Sequence, residues 1–191
     1  MTRQITIWAL AALCLMGASC AMKVERKSAS YYLKHKQEIT EILNNYHALY
    51  NKQPFSCGFT DRSYKYFVMQ IMTDTVRYIY NTELNKETLY KAVKLVRYDT
   101  ARLRLMMDQM KNIKLLWMDK TSFWVNEKEE IVTFLSFKSV AVEQPFTENK
   151  YYILLFTDQR LDIPELRERL KKGDLARIED RVYFMIGNQY R

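Results

Sequence analysis

The sequence predicts an α+β fold, an antiparallel sheet of about five to seven strands with two helices packed on one face. Three observations predict it. Apolar residues recur at helical spacing over 31–50 and 86–112, and the pattern becomes strand-like after Ile113. The strand-like runs are joined by short polar turns, which favours antiparallel neighbours. The chain has 14 Tyr and 9 Phe but only 4 Gly and 3 Pro, which suits strands and a ring-rich core better than a loop-rich fold.

From Tyr31 to Tyr50, the residues Tyr32, Ile39, Ile42, Leu43, Tyr46, Leu49 and Tyr50 line one helical stripe. Ser28 or Ser30 is the expected cap, and Asn51-Lys52-Gln53-Pro54 ends the helix. Ser63 to Tyr80 is rich in Tyr, Phe, Val, Ile and Thr, with Thr73-Asp74-Thr75 as a turn, which predicts a hairpin of about 64–72 and 76–81. Asn85 caps a second helix, about 86–112, in which Leu89, Val96, Leu103 and Met110 repeat every seven residues. The run is too short for a coiled coil to be preferred over a helix packed on a sheet. Ile113–Met118, Phe123–Val125, Ile131–Phe137 and Tyr151–Thr157 read as strands, with turns at Asp119-Lys120-Thr121 and Asn126–Glu129. Pro164 starts a short charged helix, Glu165 to Lys172, that Gly173 ends. Arg181–Ile186 is the final strand.

The 191 residues are 48% apolar and 27% charged, a globular composition. The formal net charge is +8, but Lys and Arg are scattered among acids with no basic block. This reads as a solvated basic surface with modest attraction to anionic headgroups or surface glycans, and no nucleic-acid partner is expected.

The N-terminus is patterned separately. Met1-Thr2-Arg3-Gln4 is a short basic segment, Ile5 to Met16 is nearly all apolar, and Gly17-Ala18-Ser19 is a run of small residues. This is the tripartite pattern of an export signal. The apolar run spans about 18 Å as a helix, against roughly 30 Å for a bilayer core. The expected division is 1–19 signal peptide, 20–30 anchored N-terminus and polar tether, and 31–191 a single globular domain. Gly17-Ala18-Ser19-Cys20 resembles the lipobox of bacterial lipoproteins, in the relaxed form ending Ser-Cys of the Bacteroides group. It departs from the strict pattern in having Gly17 where Leu is usual. The resemblance implies that the Cys20 thiol carries a diacylglyceryl group, that cleavage falls before Cys20, and that the new amine is acylated, for example with palmitate. It places the protein in the cell envelope, on the inner or outer membrane, facing the periplasm or the cell surface. Ordinary cleavage after Ser19 or Ala21 would give a periplasmic or secreted protein instead.

Candidate chemistry is sparse. Cys57, in Phe55-Ser56-Cys57-Gly58-Phe59, is the only cysteine left outside the signal and the lipobox. A nucleophilic Cys needs a base, and His47 is better placed than His35, about 120° away around the same helix. A buried, inert Cys is the simpler expectation. No metal-binding or nucleotide-cofactor spacing is present, and no G-x-S-x-G. No metal and no cofactor are therefore expected. Asp61, Asp74, Asp119 and Asp158 are candidates for a carboxylate pair, but each sits beside a turn or strand end where Asp makes local hydrogen bonds. Glu129 and Glu130 read as solvated turn. The aromatic strand residues Tyr64, Tyr66, Tyr78, Tyr80, Trp124 and Tyr151, together with Phe123 and Tyr152, are candidates for a sheet face that grips a glycan, peptide or protein. The expected function is a membrane-anchored binding or assembly protein, non-enzymatic. The alternatives are a small envelope hydrolase using Cys57 or paired Asp residues, and a structural accessory subunit pairing through a sheet edge.

Overall fold

The structure, a computed structural model, describes residues 26–61, 63–74, 77–81, 97–125, 127–140, 150–158 and 163–187. The chain divides into two compact units, Met1–Lys34 and His35–Arg191. In the first, residues 26–34 are helical. Ser28 and Ser30 therefore lie within helical backbone rather than capping a later start.

In the second unit, helix α1 (Lys36–Tyr50) buries Ile39, Ile42, Tyr46 and Leu49, a 3-4-3 spacing that forms one continuous stripe. Helix α2 (Thr100–Asn112) buries Leu103, Met106 and Met110. It is shorter than its heptad pattern suggested. The Asp99 carboxylate accepts the Arg102 N–H at 3.0 Å and caps the helix, so Thr100 begins a new element. The expected cap Asn85, and Leu89 and Val96, lie outside the described residues. The two helices are joined by Gln109, whose amide donates to Glu41 at 2.9 Å and whose carbonyl accepts from Asn45 at 3.2 Å.

Eight strands form one antiparallel sheet: β1 (Phe55–Phe59), β2 (Phe67–Met72), β3 (Arg77–Asn81), β4 (Trp117–Val125), β5 (Lys128–Val140), β6 (Lys150–Thr157), β7 (Leu175–Glu179) and β8 (Val182–Gly187). Their spatial order is β3-β2-β1-β4-β5-β6-β8-β7. The α+β antiparallel architecture is the one the sequence predicts. Its details differ in several places: residues 113–116 precede β4 outside any strand, and residues 64–66 fall outside the expected first hairpin strand. β1 and β7 were not foreseen, and β4 runs through Asp119-Lys120-Thr121, which is strand and not turn.

Register fixes the two faces, because paired residues point the same way. Phe55, Cys57 and Phe59 pair with Ile71, Met69 and Phe67, and Cys57 also pairs with Met118, which pairs with Leu135. This face carries α1. The Tyr46 ring meets Phe55 edge-on at 5.0 Å, and His47 reaches Thr133. The opposite face holds a second core of Val132, Ile153, Leu155, Tyr183 and Met185 with Ile163 and Leu166. Leu166 belongs to helix α3 (Pro164–Lys172), which Pro164 opens and Gly173 closes at φ 79°. The two long helices share one face, as predicted, and the short one packs on the other.

β1 and β4 touch at only two residue pairs, Cys57↔Met118 and Gly58↔Trp117. Beyond them β4 continues to Val125 paired only with β5, and β5 gains β6 only from Val132 onward. The tip of the β4–β5 hairpin therefore projects as a two-stranded ribbon with no neighbouring strand among the described residues.

Candidate functional site

Cys57 is fully buried, 0% exposed. Burial, and then the Asp119 carboxylate, push its thiol well above the ordinary range. A protonated thiol sealed in a core is a poor nucleophile. Beside it, the Tyr46 hydroxyl donates to the Phe55 carbonyl at 2.7 Å, and burial, then Cys57 and Asp119, hold that hydroxyl far above the usual tyrosine range. These groups fasten β1 to α1. The Tyr98 hydroxyl donates to the Gln53 carbonyl, and its ring lies 5.4 Å from Phe55.

Among the described residues, His47 makes no hydrogen bond to the Cys57 thiol. Its Nε2 lies 3.3 Å from the Thr133 hydroxyl. Burial lowers its pKa and the Lys120 ammonium lowers it further, with Asp158 opposing, so it is neutral near pH 7. The Lys120 ammonium lies 4.7 Å over the Tyr50 ring. Lys120 and Thr133 are register partners, so His47 and Tyr50 of α1 meet one row of β4 and β5. Burial, then Asp119 and Glu129, raise the Tyr50 hydroxyl.

Two of the candidate carboxylates, Asp61 and Asp119, have local tasks. Asp61 accepts N–H groups from Ser63 at 3.0 Å, Lys65 at 2.9 Å and Tyr66 at 2.8 Å, and also the Ser63 hydroxyl. Burial pushes its carboxyl up, but these bonds together outweigh it and hold Asp61 below the usual carboxylate range. Asp119 accepts the Lys120 N–H at 2.9 Å. Asp74 and Asp158 are exposed.

The candidate aromatic residues do not share one face. Tyr64 and Tyr66 sit in the loop before β2 rather than in a strand. The Tyr64 hydroxyl donates to the Lys114 carbonyl at 2.9 Å, and its ring stands edge-on to Phe59. Tyr151 is core, 4% exposed. Tyr78 and Tyr80 pair with Ile71 and Met69 in β3, and their side chains lie outside the described residues. Trp124 alone among the described candidates is largely open, at 76% exposure near the ribbon tip. Its register partner is Glu129, also exposed, which sequence reasoning set aside as solvated turn. The missed signal was positional: the tight hairpin that pairs Val125 with Lys128 places Glu129 directly across from Trp124.

Cys20, with the rest of 1–25, lies outside the described residues. Among the described residues no three His, Cys, Asp or Glu side chains are grouped to hold a metal ion, and no helix is long and apolar enough to cross a membrane. Comparison with known proteins finds no match to this chain among protein-family models, curated proteins or solved structures.

Proposed function

We propose that this protein is a membrane-anchored envelope lipoprotein that acts by binding or assembly rather than by catalysis. The anchoring rests on the order basic segment, apolar run, Gly17-Ala18-Ser19, Cys20. A single acyl chain holds a protein only marginally, at about 0.8 kcal/mol per buried methylene, whereas two or three chains on Cys20 hold it stably. One observation carries the binding half: the β4–β5 ribbon leaves the sheet and presents Trp124 at 76% exposure, while the one described thiol is sealed in the core. A projecting apolar ring on a narrow support fits recognition better than chemistry, because a ring this exposed is not shielded from water.

The test expresses the precursor in a bacterial host and measures intact mass and membrane partitioning, with Cys20→Ala as control. The wild type should carry added lipid mass and pellet with membranes, and the variant should do neither. An unlipidated product beginning at Cys20 or later, soluble in both forms, would overturn the reading.

A further inference from the structure

We infer that the ribbon tip, through Trp124 and Glu129, is a docking site for an arginine- or lysine-bearing segment of a partner protein. This deepens the binding half of the reading above and does not depend on the lipid anchor. Trp124 and Glu129 are direct cross-strand partners, so their Cβ atoms lie about 4.5–5.5 Å apart on one face. The face of an indole attracts a cation, and a carboxylate beside it supplies a charge-assisted hydrogen bond. Together they form a two-part grip for a guanidinium or ammonium group, open to solvent.

Charge complementarity selects the occupant. The ribbon from Thr121 to Ile131 carries Glu127, Glu129 and Glu130 against Lys128, an acidic tip on a chain of formal charge +8. Glu127, Lys128 and Glu129 are exposed and hold no ion pair among the described residues. An anionic membrane or an acidic polymer would be repelled from this tip, and a basic segment attracted. The same chemistry is satisfied internally further down the same face, where the Lys120 ammonium rests on the Tyr50 ring. Lys120 and Trp124 share that face because strand side chains alternate.

The test uses the processed Cys20→Ser chain in buffer and the lipidated chain in detergent. The probe is hexa-arginine, with hexaglutamate and a Gly-Ser peptide of equal length as controls. Binding is followed by calorimetry and by tryptophan emission. Trp117 is 3% exposed and serves as the buried reference, so subtracting the Trp124→Phe spectrum isolates Trp124. A cationic probe has no general attraction to a basic chain, so saturable binding requires a local acidic site. Hexa-arginine should bind saturably and more weakly as salt rises. Glu129→Gln should raise the midpoint about tenfold, and Trp124→Ala should abolish the heat. Both positions are exposed, and thermal melts will verify that the variants fold. No saturable signal, or equal binding by Glu129→Gln, overturns the site. So does a Trp124 shift with phosphatidylglycerol vesicles but not with the peptide. Failure of the anchor would appear in mass and partitioning alone.

Discussion

Replacing Gly58 by alanine strikes the narrowest join in the sheet. A Cβ at this position would lie 2.6 Å from Trp117 Cε3 and 2.7 Å from Trp117 Cα, and closer still to the Leu116 carbonyl oxygen. Ordinary carbon contacts fall near 3.5–4.0 Å, so the shortfall is about 1 Å. Two of the three obstructing atoms are backbone, which no rotamer change can move. β4 must shift away from β1. That shift weakens the 2.6 Å bond from the Phe59 N–H to the Leu116 carbonyl and the two residue pairs that hold the strands together. Overpacking costs about 1–3 kcal/mol and each lost hydrogen bond about 1 kcal/mol. Alanine's advantage over glycine within a strand returns only about 0.5–1 kcal/mol. The net expectation is a loss of about 1–4 kcal/mol, or a Tm lower by about 2–16 °C for a domain of this size. Urea and thermal unfolding by far-UV circular dichroism measure it, with Trp117 emission as a local reporter. Gly173→Ala is the matched control. Nothing lies within 4 Å of its added methyl, so its cost of about 1–2 kcal/mol comes from φ 79° alone and should leave Trp117 unchanged. A Gly58→Ala variant as stable as wild type would refute the reasoning.

Three other perturbations test the core and its polar seams. Tyr46→Phe keeps the ring against Phe55 but strands a buried carbonyl, and should cost about 1–3 kcal/mol in urea unfolding; an unchanged midpoint would show that the hydroxyl does not hold β1. The folded-state pKa of His47 is lowered from 6.5, so the unfolded chain binds the proton more readily. Its contribution is fully present above pH 6.5 and is lost as pH falls through the lower folded value. His47→Gln should flatten that part of the stability–pH curve, and a curve of unchanged slope would exclude His47 as its source. In the Cys20→Ser background, Cys57 should react with a thiol reagent only in proportion to the unfolded fraction across a urea titration; rapid labelling of the native protein would contradict its burial.

Much of the fold was legible because single elements carried strong periodicity. Ile39, Ile42, Tyr46 and Leu49 are the buried stripe that spacing predicted for α1. β1 was missed because five residues containing Gly and Cys, just after a proline, resemble a loop. Its signal was the alternation Phe55, Cys57, Phe59, whose meaning depends on a partner strand. The polar triplet Asp119-Lys120-Thr121 imitated a turn, yet Lys120 rests its charge on Tyr50, a tertiary contact invisible to local pattern. The candidate site was legible only in part. Aromatic abundance pointed to a ring-bearing face, but Tyr151 went to the core and Tyr64 to a loop anchor, and burial rather than sequence separated them from Trp124.

The strand order also carries a kinetic consequence. Five of the seven lateral contacts join strands consecutive in the chain, and β6–β8 skips only β7. β1–β4 alone brings together residues roughly sixty positions apart, and it offers just two pairs in return for closing that loop. Local pairings form fast and distant ones slowly. Each flank of the sheet can therefore assemble as a local meander, and their union belongs to the end of the folding reaction. A disturbance at Gly58 should accordingly quicken unfolding far more than it slows folding.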